Sequence, residues 1–187
     1  DAIYNLGDSI DYFPYSEKVF DLLKSNNVFS VLGNHDAMVT GILDPIDSSE
    51  KIFRTRETIQ KISKENFNWL KLKSPFIELQ VGNNEYVIFV HGTPWDPLEG
   101  RFMPEYHLEE LKRTPYKAIF MGHTHSPFLY RSSEKLIVNA GSCGLPRDVG
   151  NFSCCVLYES ESNTCSINRI RFDFNELVKG KDIHKSV

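Results

Sequence analysis

The sequence has no Cys-x-x-Cys pair, no excess of positive charge, no internal repeat and no long apolar run, and each absence excludes a class of function. Its four cysteines, Cys143, Cys154, Cys155 and Cys165, lack the spacing of a zinc or dithiol site. They are expected to be small, buried, reduced thiols in a cytoplasmic setting. Lys and Arg number 21 against 25 Asp and Glu, a net charge of -4. That balance offers no basic track for long nucleic acid and no field for an anionic membrane. No apolar stretch approaches the roughly 18 residues of a membrane-spanning helix, and the first residues lack the charged and apolar regions of a signal peptide.

What is present is a series of short apolar runs that stop at polar, glycine-containing loops. Residues 2–6 read as a strand, 14–24 as an amphipathic helix with Val19, Phe20, Leu22 and Leu23 on its apolar side, and 28–32 as a second strand. A strand-helix-strand unit favours parallel pairing. Residues 37–75 are helical in pattern, with Ser63 as an N-cap and Phe67 and Leu70 facing inward. Residues 76–81 and 85–90 flank Gly82-Asn83-Asn84, a hairpin signal. A helix over 104–113, a strand over 118–121 and antiparallel strands over 128–131, 136–139, 152–158 and 165–171 complete the chain, followed by a short helix near Phe174. The fold class is α/β, with two packed mixed β-sheets flanked by helices, an αββα sandwich.

Four of the apolar runs end alike, at Gly7-Asp8, Gly33-Asn34-His35-Asp36, His91-Gly92 and Gly122-His123-Thr124-His125. Ligands gather outside the carboxyl ends of strands in open α/β sheets. If these strands are neighbours, carboxylates, an amide and four imidazoles meet at one edge. Mixed nitrogen and oxygen donors suit Mn, Fe, Zn or Ni, being harder than thiolate sites and softer than an all-oxygen cage. A bridging carboxylate can hold two such ions about 3.5–4 Å apart, which clamps both oxygens of a phosphoryl displacement.

These motifs, in this order, resemble the calcineurin-like metallophosphoesterase superfamily: Gly7-Asp8-Ser9-Ile10-Asp11, Gly33-Asn34-His35-Asp36, Val90-His91-Gly92-Thr93-Pro94 and Gly122-His123-Thr124-His125. Tyr12-Phe13-Pro14, Asn139-Ala140-Gly141-Ser142 and Leu145-Pro146-Arg147-Asp148 are similar to its small prokaryotic phosphodiesterase branch. The resemblance implies Asp8 as the bridging carboxylate, Asn34, His91 and His123 on one metal, and His125 on the other. Two divalent transition ions, with Mn favoured, would serve as cofactors. His35 would protonate the leaving oxygen, with Asp36 orienting its ring, and Asn34 would also face substrate. Arg147 suits a substrate phosphate, and equally a loop ion pair with Asp148. The reaction implied is attack of metal-bound hydroxide on a small phosphodiester. Asp11 is followed by Tyr12-Phe13 and not by Arg-Gly, which separates the chain from the protein Ser/Thr phosphatases. The alternative is a non-catalytic metal-binding or protein-binding scaffold of the same fold, and self-association into a homo-oligomer is compatible with either.

The superfamily's opening Asp-x-His does not precede Asp8. Residues 1–187 are therefore expected to form a single domain lacking its first strand and helix, roughly thirty residues on the lengths of βαβ units, with 37–75 as a helical insertion near the site. Within this chain one metal would keep only Asp8 and His125, and a sheet edge or apolar surface would be exposed. Asp182-Ile183-His184 repeats the spacing in a polar tail with no strand before it, so it is not counted as a ligand pair. His107 is expected at the surface, and Arg54 and Arg56 on a solvated helix face.

Overall fold

The computed structural model describes residues 1–181, 183, 184 and 187, so Asp182 of the tail triplet lies outside the described residues. The chain opens with β1 (Tyr4–Asn5), α1 (Ser16–Ser25) and β2 (Phe29–Ser30), and the two strands pair in parallel. Both are shorter than the apolar runs that carry them. α1 starts two residues after Pro14, buries Phe20 and leaves Leu22 65% exposed, so Leu22 is not on its buried side as expected.

After β2 come α2 (Asn34–Thr40), a 3-10 turn (Asp47–Ser49), α3 (Glu50–Phe53), α4 (Thr55–Lys61) and α5 (Lys64–Lys71). The Ser63 hydroxyl accepts from Asn66 N at 3.2 Å, the N-cap bond its position suggests. β3 (Phe76–Gly82) and β4 (Glu85–Val90) form the hairpin across Asn83-Asn84, with Asn84 at φ 61°. α6 (Pro104–Lys112) leads to β5 (Tyr116–Met121), β6 (Phe128–Arg131) and β7 (Leu136–Asn139). His107 is half-buried, its Nδ1 accepting from Met103 N at the start of α6, rather than a bare surface residue. β8 (Phe152–Glu159), β9 (Thr164–Arg171) and α7 (Phe174–Val178) end the fold.

The central sheet is mixed and five-stranded, in the order β3-β4-β5-β7-β6. The second half is not the simple antiparallel run expected from its turns. β7 pairs in parallel with β5, and β6 lies outside it, antiparallel to β7. The reason is burial: β7 reads Leu-Ile-Val-Asn, is buried at every position, and so belongs inside the sheet, whereas β6 alternates half-buried and exposed residues as an edge strand does.

Alternate residues of the central strands supply two cores. On one face Val87, Phe89, Ala118, Phe120, Leu136 and Val138 meet Tyr4 and Leu6 from around β1, Val31 after β2, and Val156 and Tyr158 from β8. Tyr4 stacks on Phe89 with ring centroids 3.9 Å apart. On the other face Ile88, Val90, Ile119, Met121 and Ile137 pack against Leu111 and Leu108 of α6. A third cluster, with Phe20 of α1, Ala37 and Val39 of α2 and Leu70 of α5 over Leu32, covers the far side of the β1-β2 pair. The five-stranded sheet thus has α6 on one face and, on the other, two separate strand pairs, parallel β1-β2 and antiparallel β8-β9, in place of the single second sheet expected, with each fully buried Leu, Ile or Phe worth about 1.5–3 kcal/mol. None of the cysteines is bonded; Cys154 is buried, but Cys143 is exposed, contrary to the expectation that all four pack inside. Among the described residues no helix is long and apolar enough to cross a membrane.

Candidate metal centre

β1, β2, β4 and β5 all run out into polar loops at one edge, and two glycines let those loops touch. Gly7 (φ +86°) and Gly33 lie backbone against backbone: a Cβ on Gly7 would sit 2.6 Å from Gly33 N, and one on Gly33 only 2.1 Å from Asp8 Oδ1. No larger side chain fits there without moving Asp8. Asp8, Asp11, Tyr12, His123 and His125 all have φ between 54° and 70°, a left-handed backbone that costs non-glycine residues about 1–3 kcal/mol each. Strain of that kind persists where surrounding contacts hold the loops in place, and here they do. Gly122 N donates to His91 O at 2.9 Å, and the buried Asn139 side chain donates to Gly122 O at 2.6 Å.

Four acceptor atoms converge as a result. His91 Nε2 lies 3.0 Å from Asn34 Oδ1, 3.1 Å from His123 Nδ1 and 3.3 Å from Asp8 Oδ2, and Asn34 Oδ1 is 3.1 Å from His123 Nδ1. Asp8, His91 and His123 offer ligand atoms all within 4.8 Å of one another. His91 Nδ1 donates to Leu6 O at 2.7 Å, which fixes the tautomer and leaves the Nε2 lone pair facing oxygen lone pairs. Such a cluster repels itself unless a proton or a cation sits at its centre. Two atoms each about 2.1 Å from a shared ion, at right angles, lie about 3.0 Å apart, so the donor set fits a transition metal in both chemistry and spacing.

The electrostatics agree. Burial disfavours the charged forms of Asp8 and His91, yet their attraction wins: Asp8 is held well below the usual carboxylate range and His91 is raised above the usual histidine value. Burial, reinforced by the nearby His91, pulls His123 down to about 4, and burial together with Arg147 pulls His125 down to about 4. Both are neutral imidazoles at pH 7, the form that binds metals. His125 stands apart from the four-atom cluster, with its Nδ1 donating to Leu145 O at 2.8 Å.

Beside the cluster, His35 is 4% exposed. Its Nδ1 donates to Asp11 Oδ2 at 2.9 Å, Thr55 Oγ1 donates to the same oxygen at 2.6 Å, and Phe53 packs edge-on against the ring at 4.5 Å. Tyr12 Oη is 3.4 Å from His35 Nε2. This corrects the assignment of Asp36 as the partner of His35. Asp36 instead accepts three backbone N–H bonds, from Gly33 at 2.9 Å, Asp8 at 2.8 Å and Ser9 at 3.1 Å. The cause is helical geometry: successive residues point about 100° apart, and Asp36, third in α2, turns back to cap the helix start. Asp36 ties the Asp8 loop to α2, and Asp8 Oδ1 accepts from His35 N at 3.0 Å in return. Asp11 was visible in its motif, but the resemblance gave it no role. Thr55, contributed by α4, left no sequence signal at all.

The ion pair left open for Arg147 does not form, because Asp148 pairs with Arg169 of β9. Arg54 and Arg56 are engaged with Glu57 and Asp47.

Residues 1–162 match the family model described as the calcineurin-like phosphoesterase superfamily domain. A protein of Methanocaldococcus jannaschii, itself uncharacterized, is 26% identical over 203 residues, an alignment covering 96% of this chain and 81% of that protein. The chain also superposes on a metallophosphoesterase from Sphaerobacter thermophilus, with a TM-score of 0.76 and 22% identity over 95% of this chain and 80% of the other. With a protein from Pyrococcus horikoshii the TM-score is 0.78 at 18% identity, covering 98% and 81% of the two chains.

Proposed function

The chain belongs to the calcineurin-like phosphoesterase superfamily, and on that premise we propose that it hydrolyses phosphodiesters with two divalent transition ions, manganese favoured, gathered around Asp8. The observation that supports this best is the convergence of Asp8, Asn34, His91 and His123 acceptor atoms beside the His35–Asp11 pair. Asp8, Asn34, His91 and His123 would hold one ion, and Asp8 and His125 would face the other. When bound, the metals polarise the phosphoryl oxygens and lower the pKa of water. The protein's own part is positional. Asp11 fixes the His35 ring through Nδ1, so that Nε2 is presented to the departing alkoxide and gives it a proton. Arg147, near His125 and the Tyr12 hydroxyl, steadies the phosphate oxygens.

Turnover of bis(p-nitrophenyl) phosphate is expected with added Mn²⁺ and is abolished by a chelator, with the monoester p-nitrophenyl phosphate cleaved more slowly. No release of nitrophenol from either compound with Mn²⁺, Fe²⁺, Zn²⁺ or Ni²⁺ would end the hydrolase reading.

Metal affinity is expected to depend on pH through His91. Asp8 keeps that imidazole protonated above its ordinary range, so an incoming ion must displace the proton. Affinity therefore falls as pH drops through and below the raised His91 value, by about tenfold per unit for one proton. His123 and His125, held at about 4, add to this slope only near that pH. Calorimetric Mn²⁺ titrations from pH 5.5 to 8.5 read the slope directly, and a flat profile would exclude His91 as a ligand.

A further inference from the structure

A cavity of about 510 Å³ lies beside the candidate centre, its lining including Thr124 and Ser126, the neighbours of His123 and His125. Two guanidiniums, Arg101 and Arg147, line it, together with apolar walls from Met103 and Phe128. Phe102, also in the lining, packs edge-on against Phe128 at 5.1 Å. The arginine ion pairs of the described residues are Arg54–Glu57, Arg56–Asp47 and Arg169–Asp148, so no carboxylate pairs with either arginine of the cavity. One carboxylate, Glu105 at the start of α6, shares the lining.

Two guanidiniums without a carboxylate partner, Arg101 and Arg147, the latter beside the Tyr12 hydroxyl, suit a second anion next to the candidate centre, since guanidinium matches phosphate in planar, paired hydrogen bonds. The apolar wall and Glu105 describe what joins that anion to the first: a body with a flat or apolar face and hydroxyls for a carboxylate to accept, as in a sugar or nucleoside. We propose that the cavity between Arg101 and Arg147 binds a second phosphate of the substrate, and that the preferred substrates are sugar or nucleoside phosphodiesters carrying an additional phosphate. This rests on the phosphoesterase reading and adds Arg101 as a specificity-determining residue for it.

The test compares thymidine 5′-(p-nitrophenyl phosphate) with the same diester bearing a 3′-phosphate, using the full Mn²⁺-loaded chain and both turnover and calorimetric binding. The expected ratio of kcat/KM, bisphosphate over diester, is about tenfold or more, the scale of one charge-assisted hydrogen bond. Arg101→Ala should bring the ratio close to one, Arg147→Ala should lower kcat/KM for both diesters because Arg147 also faces the scissile phosphate, and Glu105→Gln should leave or raise the ratio. The ratio is internal to each variant, so a variant of reduced overall activity still reports. Equal kcat/KM for the two diesters in the parent chain, or a ratio that Arg101→Ala leaves intact, overturns the second-phosphate site while the hydrolase reading stands. If neither diester is cleaved, the hydrolase reading fails, and binding decides the rest. Equal affinities then overturn this inference too, whereas tighter binding of the bisphosphate that is lost in Arg101→Ala supports the anion site.

Discussion

Replacing His35 with alanine is expected to slow hydrolysis of a nucleoside diester about 10³-fold, within the range found for loss of a positioned general acid. The effect should depend on the leaving group. An unactivated alkoxide departs only as fast as it acquires a proton, so it depends on the Nε2 that His35 presents. A p-nitrophenolate, being weakly basic, leaves with little help, and its loss should be smaller by about tenfold or more. Asp11→Asn should give an intermediate loss, about 10²-fold, because Asp11 Oδ2 sets the ring orientation through the 2.9 Å bond to Nδ1 without touching substrate. Thr55 shares that oxygen, so an asparagine turned the wrong way would face two donors. Steady-state kinetics on two esters of differing leaving group separate these roles. Equal losses on both would remove His35 as the acid.

The second large effect concerns stability. Asp36 is fully buried, and its carboxylate satisfies three backbone donors drawn from two separate loops. Asp36→Ala leaves those three N–H groups without a partner. At about 1–3 kcal/mol for each buried donor, offset in part by relaxation, a loss of roughly 3–4 kcal/mol follows. Part of the carboxylate's own contribution is already spent, since burial and the charge of Asp8 push the group up to about 6 against the N–H donors that favour its ionised form. The sign for pH follows from that rise above the ordinary 3.8: this group's own contribution to stability is largest below about 4 and diminishes as pH climbs through 6. Denaturant melts of Asp36→Ala against the parent should show a midpoint shift at unchanged slope. A change below about 0.5 kcal/mol, the scale of ordinary surface substitutions, would mean that the loop and α2 are held together by something else.

The sequence made the ends of the strands legible because each ends the same way: a buried apolar run followed by glycine and a donor-bearing side chain. Asp8, Asn34, His91 and His123 were singled out for that reason, and the structure brings these four together. The β3-β4 hairpin and the Ser63 cap were legible because their signals are local. Strand order was not: the insertion of β7 between β5 and β6 depends on which edge is buried, and turn sequences do not encode that. The partner of His35 was misread for a related reason. The resemblance placed Asp36 beside His35 within one motif, but a helix separates neighbours around its axis, and a residue on a different loop, Asp11, reaches the ring. Thr55 and Arg101 lie far from every motif and acquire meaning only from where the fold places them.

The central claim is that the convergence of Asp8, Asn34, His91 and His123 is a metal site. Its most direct test is the transition-metal content of the chain, by elemental mass spectrometry after purification without chelator, alongside His91→Ala. At least one equivalent per chain is expected, lost in His91→Ala while the fold, read by circular dichroism, persists. A parent chain that carries no transition metal and takes up none from Mn²⁺, Fe²⁺, Zn²⁺ or Ni²⁺ on dialysis would contradict the account.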